Sequence, residues 1–360
     1  MKAAVLNAIN GVFDIEDIEI AEPIGREVLI DVKASGLCHS DLHFAENDFG
    51  VPLPAIFGHE IAGIVKAVGP DVREFQIGDH VVGSLVQYCG HCEACLDGRT
   101  YQCKNPNETV RGADEAPRVS KQGKPVSQGF GIAGFAELAL VHENQLAKVP
   151  DEIPFAQAAV LGCGCVTGAG AAINTADIKP GDTVAIIGVG GVGLNVISGA
   201  RLSGAERIIA IDRAPQKEAL ARKFGATDFI NAGTTDAVKA LQELTDGGVD
   251  HVFEVIGLKS TSEQAVQMAR LGGGVYLIGV HKPGSTIELK VTEDLLTRQV
   301  VVRGVYMGST NIKHDIPMYA RLYLQGRFNL DSHPADGNRR LIALRQEDAC
   351  RHWALIADIS

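Results

Sequence analysis

Four cysteines of this 360-residue chain, Cys89, Cys92, Cys95 and Cys103, stand in a C-x2-C-x2-C-x7-C array. Two-residue gaps let successive thiolates turn onto one tetrahedral ion, and the longer gap brings the chain back with a fourth. Gly90 and Gly98 allow the tight turns this needs. Without a metal, four crowded thiolates would repel one another. With every position taken by sulfur no coordination place stays open, so the expected ion is a structural zinc. A second set of possible ligands is dispersed: Cys38, the pair His59–Glu60, and Cys163. Singly, each reads as a packed cysteine or a core histidine.

Gly188, Gly190 and Gly193 form a G-x-G-x-x-G pattern with Gly191 and Val192 inside it. Such a pattern alone is weak. Here it follows the apolar run Thr183–Ile187 and opens a helical segment, Val192–Leu202. In that context glycines let backbone N–H groups approach a pyrophosphate at a helix N-terminus. Asp212 ends the next strand, nineteen residues after Gly193. A carboxylate there accepts hydrogen bonds from both ribose hydroxyls and repels a 2′-phosphate, so NAD is expected over NADP. Arg213, beside it, works against that preference.

The elements that must position these groups differ between the two halves of the chain. Lys2–Leu6, Val28–Ala34, Ile61–Val68 and His80–Val86 are β-rich runs separated by Gly, Pro and Asp, which predicts a compact β domain. The polar, Gly-rich segment Lys104–Gly134 reads as loop. From about Thr175 strands alternate with helices: Thr183–Ile187, then Val192–Leu202, Arg207–Ile211, Pro215–Phe224, Val249–Val255 and Gly274–Ile278. That alternation implies parallel βαβ units. The fold class expected is therefore α/β, in two domains, consistent with a chain longer than one core usually supports.

Composition narrows the partners. Hydrophobic residues make up 46% and charged residues 21%, and the 41 glycines follow no period. A formal charge of −11 argues against nucleic acid or an anionic membrane as partner. The acidic N-terminal segment carries no signal-peptide pattern. Two long uncharged stretches, 153–176 and 183–200, are broken by glycines and read as buried core rather than membrane spans. Clustered thiols fit a reducing compartment, so cytoplasm is the expected location.

The segments GLCHSDLH (36–43), GHE (58–60), CGHCEACLDGRTYQC (89–103), LGCGCVTG (161–168) and GVGGVG (188–193) together resemble the zinc-containing medium-chain alcohol dehydrogenases. The likeness runs in order over roughly residues 1–330. It implies a GroES-like β-rich catalytic domain (1–164 and 307–360) and a doubly wound Rossmann domain for NAD (165–306). It implies two zinc ions per chain, one structural and one catalytic, the latter held by Cys38, His59 and Cys163. Two thiolates and one imidazole leave a fourth position for an alcohol, whose proton such an ion makes easier to lose. By the same resemblance Ser40 takes that proton and passes it through the cofactor ribose to His43. Asp41 and Glu60 orient the ligands. His39 reaches the cofactor pyrophosphate, Lys217 adds a ribose contact, and the strand ends at Ile256 and Val280 border the dinucleotide.

Phe49, Leu85 and Phe130 would line the substrate pocket, and their apolar character suits an apolar or aromatic primary alcohol. Two readings stay beside this one: a glutathione-dependent formaldehyde dehydrogenase, and a nicotinoprotein that keeps its NAD bound. The glutathione-using relatives usually carry another residue where His43 stands. From another class, a non-catalytic NAD-binding protein on this fold would be marked by a lost zinc ligand, and none is missing. The segment 104–134 resembles that of the dimeric branch, which implies a homodimer paired along an edge strand near 300–305. From Ser332 to Ser360, with Cys350, Arg351 and Trp353, the resemblance stops, which suggests a change of reading frame late in the gene.

Overall fold

The computed structural model describes residues 1–331 and 354–356. Its contacts divide the described residues into two compact units, one formed by Met1–Gly164 with those from Asn311 on, the other by Cys165–Thr310. The tail from Ser332, apart from 354–356, lies outside the described residues.

The first unit is built on two main sheets, with a small three-stranded one beside them. Lys2–Leu6 pairs antiparallel with Phe13–Asp17 and with Ala55–Ile56, which runs parallel to Ser127–Gln128. The larger sheet places Leu138–His142, Glu27–Gly36, Glu60–Val68, His80–Gly83 and Leu146–Lys148 in that order. Leu138–His142 covers residues 27–31 of the long strand, and Ala354–Ile356 runs parallel to residues 34–36. Breaks of register after Leu29 and after Val32 curl this strand. Val28, Ile30, Val32, Ile61, Val65, Val81 and Leu146 fill the core beneath it. Apolar residues at every second position of strand 27–36 are what bury that face. The segment expected as loop, 104–134, is corrected in part. It contains short strands, Val119–Lys121 and Lys124–Pro125, the former paired to Glu19–Ile20.

The second unit is a parallel sheet of six strands: β1 (Thr183–Ile187), β2 (Arg207–Asp212), β3 (Asp228–Asn231), β4 (Val249–Glu254), β5 (Ala269–Leu277) and β6 (Val301–Gly304). Their order is 3-2-1-4-5-6, with every pair parallel. Val184 and Ile186 face one apolar layer, with Leu194, Ile197 and Phe224, while Ala185 and Ile187 face the other, with Leu241, Ala265 and Val266. Burial on both faces is why β1 reads as a continuous apolar run instead of an alternating one. The expected helix 215–224 begins as a 3-10 turn, Pro215–Lys217, before the helix Glu218–Phe224.

The return to the first unit was expected at residue 307, and the structure moves it to Asn311. Residues 307–310 stay with the second unit, where Thr175 Oγ1 donates to Ser309 Oγ at 2.8 Å and Thr310 Oγ1 donates to the Val166 carbonyl at 3.2 Å. Residues 158–172, within the first uncharged stretch, are buried. Among the described residues no single helix is long and apolar enough to cross a membrane, although the bent pair Phe155–Gly162 and Gly164–Thr175 passes by length and composition.

Candidate functional site

The structure brings Cys38, His59, Glu60 and Cys163 together, with one ligand atom of each lying within 4.8 Å of the others. Cys38 caps the helix His39–Glu46, Glu60 opens the strand Glu60–Val68 with His59 just before it, and Cys163 follows the turn Val160–Gly162. Three stretches far apart in sequence thus converge inside one unit.

Asp41 organises this convergence. It is fully buried; its Oδ2 accepts the Cys38 N–H at 3.1 Å, and its Oδ1 accepts the Gly58 N–H at 3.0 Å and faces His59 Nδ1 at 3.2 Å. A carboxylate there fixes the proton on Nδ1 and leaves Nε2 with its lone pair free. His59 Nε2 is buried and has no hydrogen-bond partner among the described residues. A buried ring nitrogen in that state, beside two sulfurs, fits a metal ligand, since a lone core histidine normally satisfies both nitrogens.

The charges of this set act on one another and favour a proton on both nitrogens of His59, the Nε2 proton being the one a bound cation displaces. Hydrogen bonding from Cys163 holds the Cys38 thiol well below its ordinary value, and the charge of His59 adds to this. Burial alone would lower the His59 pKa, but the negative charges of Asp41 and Cys38 prevail and raise it. Glu60 is pushed up to about 8, first by burial and then by the Cys38 thiolate. Its Oε1 accepts the Gly164 N–H at 3.0 Å, while Oε2 has no partner among the described residues. Excess negative charge in a buried pocket is what a bound divalent cation relieves.

The cysteine array also closes. Cys92 and Cys95 sulfurs are 3.5 Å apart, and the Cys89–Cys95 and Cys92–Cys103 pairs are each 3.9 Å apart. A zinc with four sulfurs at about 2.3 Å has tetrahedral edges of about 3.8 Å, so these spacings fit the ion. Backbone N–H groups of Cys89 and Asn105 point at Cys103 Sγ at 3.2 and 3.3 Å, and that of Cys92 at Cys89 Sγ at 3.4 Å. Backbone N–H groups of Lys104 and Cys95 hold Cys92 down to about 6. The described residues contain no disulfide among these thiols.

Ser40 and His43 share a face of the helix His39–Glu46, three residues apart. His39 is exposed, with its ring 4.8 Å from that of His43. Phe130 packs against the zinc-ligand candidate itself, its ring 4.5 Å from that of His59. Phe49 is half-buried and stacks on Phe44, and Leu85 is half-buried just past the strand His80–Gly83. Sequence reasoning missed Phe44 and Phe57, whose rings join these. The only available signal was the density of phenylalanines near the GHE turn.

In the second unit the glycine loop joins β1 to the helix Gly191–Ser203, with Gly190 as its cap and Val192 in its first turn. Gly188 has φ +104°, and a Cβ on Gly193 would lie 1.9 Å from the Gly188 carbonyl oxygen, so both positions need glycine. Asp212 accepts the Val189 and Ala214 N–H groups at 2.8 and 3.0 Å and pairs with Lys217 at 3.1 Å. Arg213 is exposed beside it. Ile256 and Val280, at the C-terminal ends of neighbouring strands, are 43% and 50% exposed, unusual for large apolar side chains over a core. The sequence did not mark Glu254, which is fully buried and accepts from the N–H groups of Ile256 and Gly257 and from Thr261 Oγ1. It sets the turn that carries Ile256.

Comparison with known proteins decides the family. Residues 25–151 match the alcohol dehydrogenase GroES-like domain and residues 191–325 the zinc-binding dehydrogenase family. The alcohol dehydrogenase class-3 of Pisum sativum is 36% identical over 342 residues, covering 92% of this chain and 89% of that protein. The chain belongs to the zinc-containing medium-chain alcohol dehydrogenases. It is an oxidoreductase. The crystal structure of benzyl alcohol dehydrogenase from Acinetobacter calcoaceticus is similar at TM-score 0.86 and 37% identity, over 92% of this chain and 90% of that one. A zinc-binding dehydrogenase from Sinorhizobium meliloti 1021 bound to NADP is similar at TM-score 0.76 and 29% identity, over the same shares.

Proposed function

We propose that this alcohol dehydrogenase passes a hydride between an apolar, aromatic primary alcohol or its aldehyde and NAD, using one catalytic and one structural zinc per chain. The observation that carries the reading is the buried set of Cys38, His59 and Cys163, with the unpartnered Nε2 of His59 among them and the Phe130 ring against it. A metal held there supplies Lewis-acid polarisation of the substrate oxygen. The chain's own groups do the rest. Asp41 fixes the His59 tautomer, and Ser40, on the first turn of its helix, accepts the alcohol proton and relays it toward His43. Cys89, Cys92, Cys95 and Cys103 hold the structural ion. His39 is assigned to the cofactor phosphates.

NAD is preferred because the Asp212 carboxylate stands where a 2′-phosphate would meet negative charge, already anchored by two N–H groups and Lys217. Gly188, Gly190, Gly191, Val192 and Gly193 cradle the pyrophosphate, and Ile256 and Val280 present apolar surface to the bases. The likeness to benzyl alcohol dehydrogenase supports the aromatic substrate. A homodimer along β6 and a cytoplasmic location complete the reading.

The test is direct. Purified protein is assayed for metal content and offered benzyl alcohol, ethanol and a polyol with NAD or NADP. Two zincs per chain and NADH formation with benzyl alcohol support the proposal. No reduction of either dinucleotide with any alcohol, at full zinc content, defeats it.

A further inference from the structure

The aromatic groups around His59 include one with a geometry of its own. Phe44 lies on the helix His39–Glu46, four residues after Ser40. Its ring stacks on Phe49 with centroids 4.4 Å apart and planes at 19°, meets Phe130 edge to face at 4.8 Å, and leans on Phe57 at 6.1 Å. Phe130 in turn lies against His59. Phe57 is buried, but Phe44, Phe49 and Phe130 are only half-buried, so each keeps part of its surface open. Phe49 sits on a short stretch of irregular chain beyond the helix and Phe130 on a tight turn. Neither is held by a regular element.

Phe130 also has φ +56°, in the left-handed region that a bulky residue rarely occupies. Such a conformation persists only where surrounding contacts fix it. The fixing contacts are on view: Gln145 Nε2 donates to the Phe130 carbonyl at 3.2 Å, and Phe44 packs on the ring. Aromatic pairs hold preferred stacked or edge-to-face arrangements, so a ring at position 44 restricts two neighbours at once. An aliphatic side chain there would fill space without dictating ring angles.

We propose that Phe44 is a positioning residue for substrate selection: it fixes the orientations of Phe49 and Phe130, and through them makes the site favour flat aromatic alcohols over short linear ones. The proposal rests on the alcohol dehydrogenase reading above and adds a residue that need not touch the reacting atoms. A merely structural role for Phe44 would lower stability and depress turnover of all substrates alike.

The experiment compares wild type, Phe44→Leu and Phe44→Tyr on benzyl alcohol and a short linear alcohol such as ethanol, with zinc content and Tm measured for each. In Phe44→Leu, kcat/KM for benzyl alcohol falls by about tenfold, chiefly through KM, while that for the linear alcohol changes by less than about twofold. Phe44→Tyr, which keeps the ring, restores the wild-type ratio. Phe49→Leu, outside the helix, provides the second variant if Phe44→Leu does not fold, and shifts the ratio in the same direction. An unchanged ratio in both leucine variants, an equal loss on both alcohols, or a wild type that prefers the linear alcohol overturns the proposal while leaving the enzyme assignment standing. A zinc-replete wild type inactive on every alcohol defeats the functional reading itself, and this proposal with it.

Discussion

Asp41 binds three donors with one carboxylate, and two of its contacts end on residues assigned to the catalytic metal. Asp41→Asn keeps the size but loses the charge and one acceptor, so the His59 tautomer is no longer enforced. Zinc affinity at this site is expected to fall by about 10–100-fold. Metal analysis after dialysis against a weak chelator should then show one zinc per chain in place of two. Retention of both ions would remove Asp41 from the ligand-orienting role. Asp212 presents a similar case in the second unit, because it anchors its own loop through Val189 and Ala214 and is also the residue we assign to the cofactor ribose. Asp212→Asn should raise the KM for NAD by roughly tenfold, since hydrogen bonds to a charged group contribute about 1.5–3 kcal/mol. Asp212→Ala should cost more, because the loop loses its anchor too. Equal effects of the two changes would mean that the carboxylate serves only the ribose.

Between residues and units stand the charged ties that hold short elements in place. Glu27, on the long strand 27–36, is buried and accepts from the half-buried Arg111 and from the buried Arg118 at 2.6 Å each. Arg118 also donates to the Thr109 carbonyl, and Arg111 to those of Glu22 and Ala116, so this trio ties the 104–125 segment to the sheet. Glu27→Ala strands the buried Arg118 guanidinium and the half-buried one of Arg111, and should destabilise the first unit by about 3 kcal/mol, read as a drop in its denaturation midpoint. A loss below about 1 kcal/mol, as for exposed pairs, would contradict the burial argument. His142 makes the same unit acid-sensitive. Its Nδ1 accepts the Asn144 N–H at 3.1 Å, and burial, then Arg26 and Arg118, push its pKa down from 6.5 to about 4. Between those values the unfolded chain binds a proton that the folded one refuses, so stability falls as pH drops from 6.5 and levels off below about 4. The loss from this group is at most roughly 3 kcal/mol, and His142→Asn should flatten urea midpoints measured across that window. An unaltered slope would exclude His142 as the source. Little of this was legible in the sequence. The Cys89–Cys103 array and the glycine loop are local, so spacing alone pointed to the chemistry expected of them. Cys38, His59 and Cys163 are joined only by folding, and resemblance, not spacing, linked them. Glu27, Arg111 and Arg118 are likewise brought together by pairing across 84 to 91 positions. Strands of two or three residues, such as Lys124–Pro125, are too short to show a period, which is why 104–134 read as loop.

At the level of the whole molecule, an α/β sheet that ends in an exposed strand needs its edge managed. β6 pairs with β5 on one side, and Val301 is 60% exposed, with Leu271, Leu296 and Tyr306 also exposed nearby in sequence or register. A row of unpaired backbone groups flanked by apolar side chains is a template for another strand. In a two-fold assembly the same strand of a second copy meets it antiparallel, and each copy covers the other's edge. The backbone register makes this specific. The Val305 N–H donates to the Leu277 carbonyl, so odd-numbered residues of this stretch face β5 and Val302 and Gly304 face outward. Val302→Pro therefore deletes an outward donor without breaking the ladder to β5, a place where an edge strand tolerates proline. The wild type should sediment at twice the chain mass, and Val302→Pro at the mass of one chain, with its dinucleotide loop intact. A wild type that sediments as a single chain would end the dimer proposal. A proline variant that stays dimeric would move the interface to another surface, since a pairing made by backbone hydrogen bonds along β6 cannot survive a ring in place of its central donor.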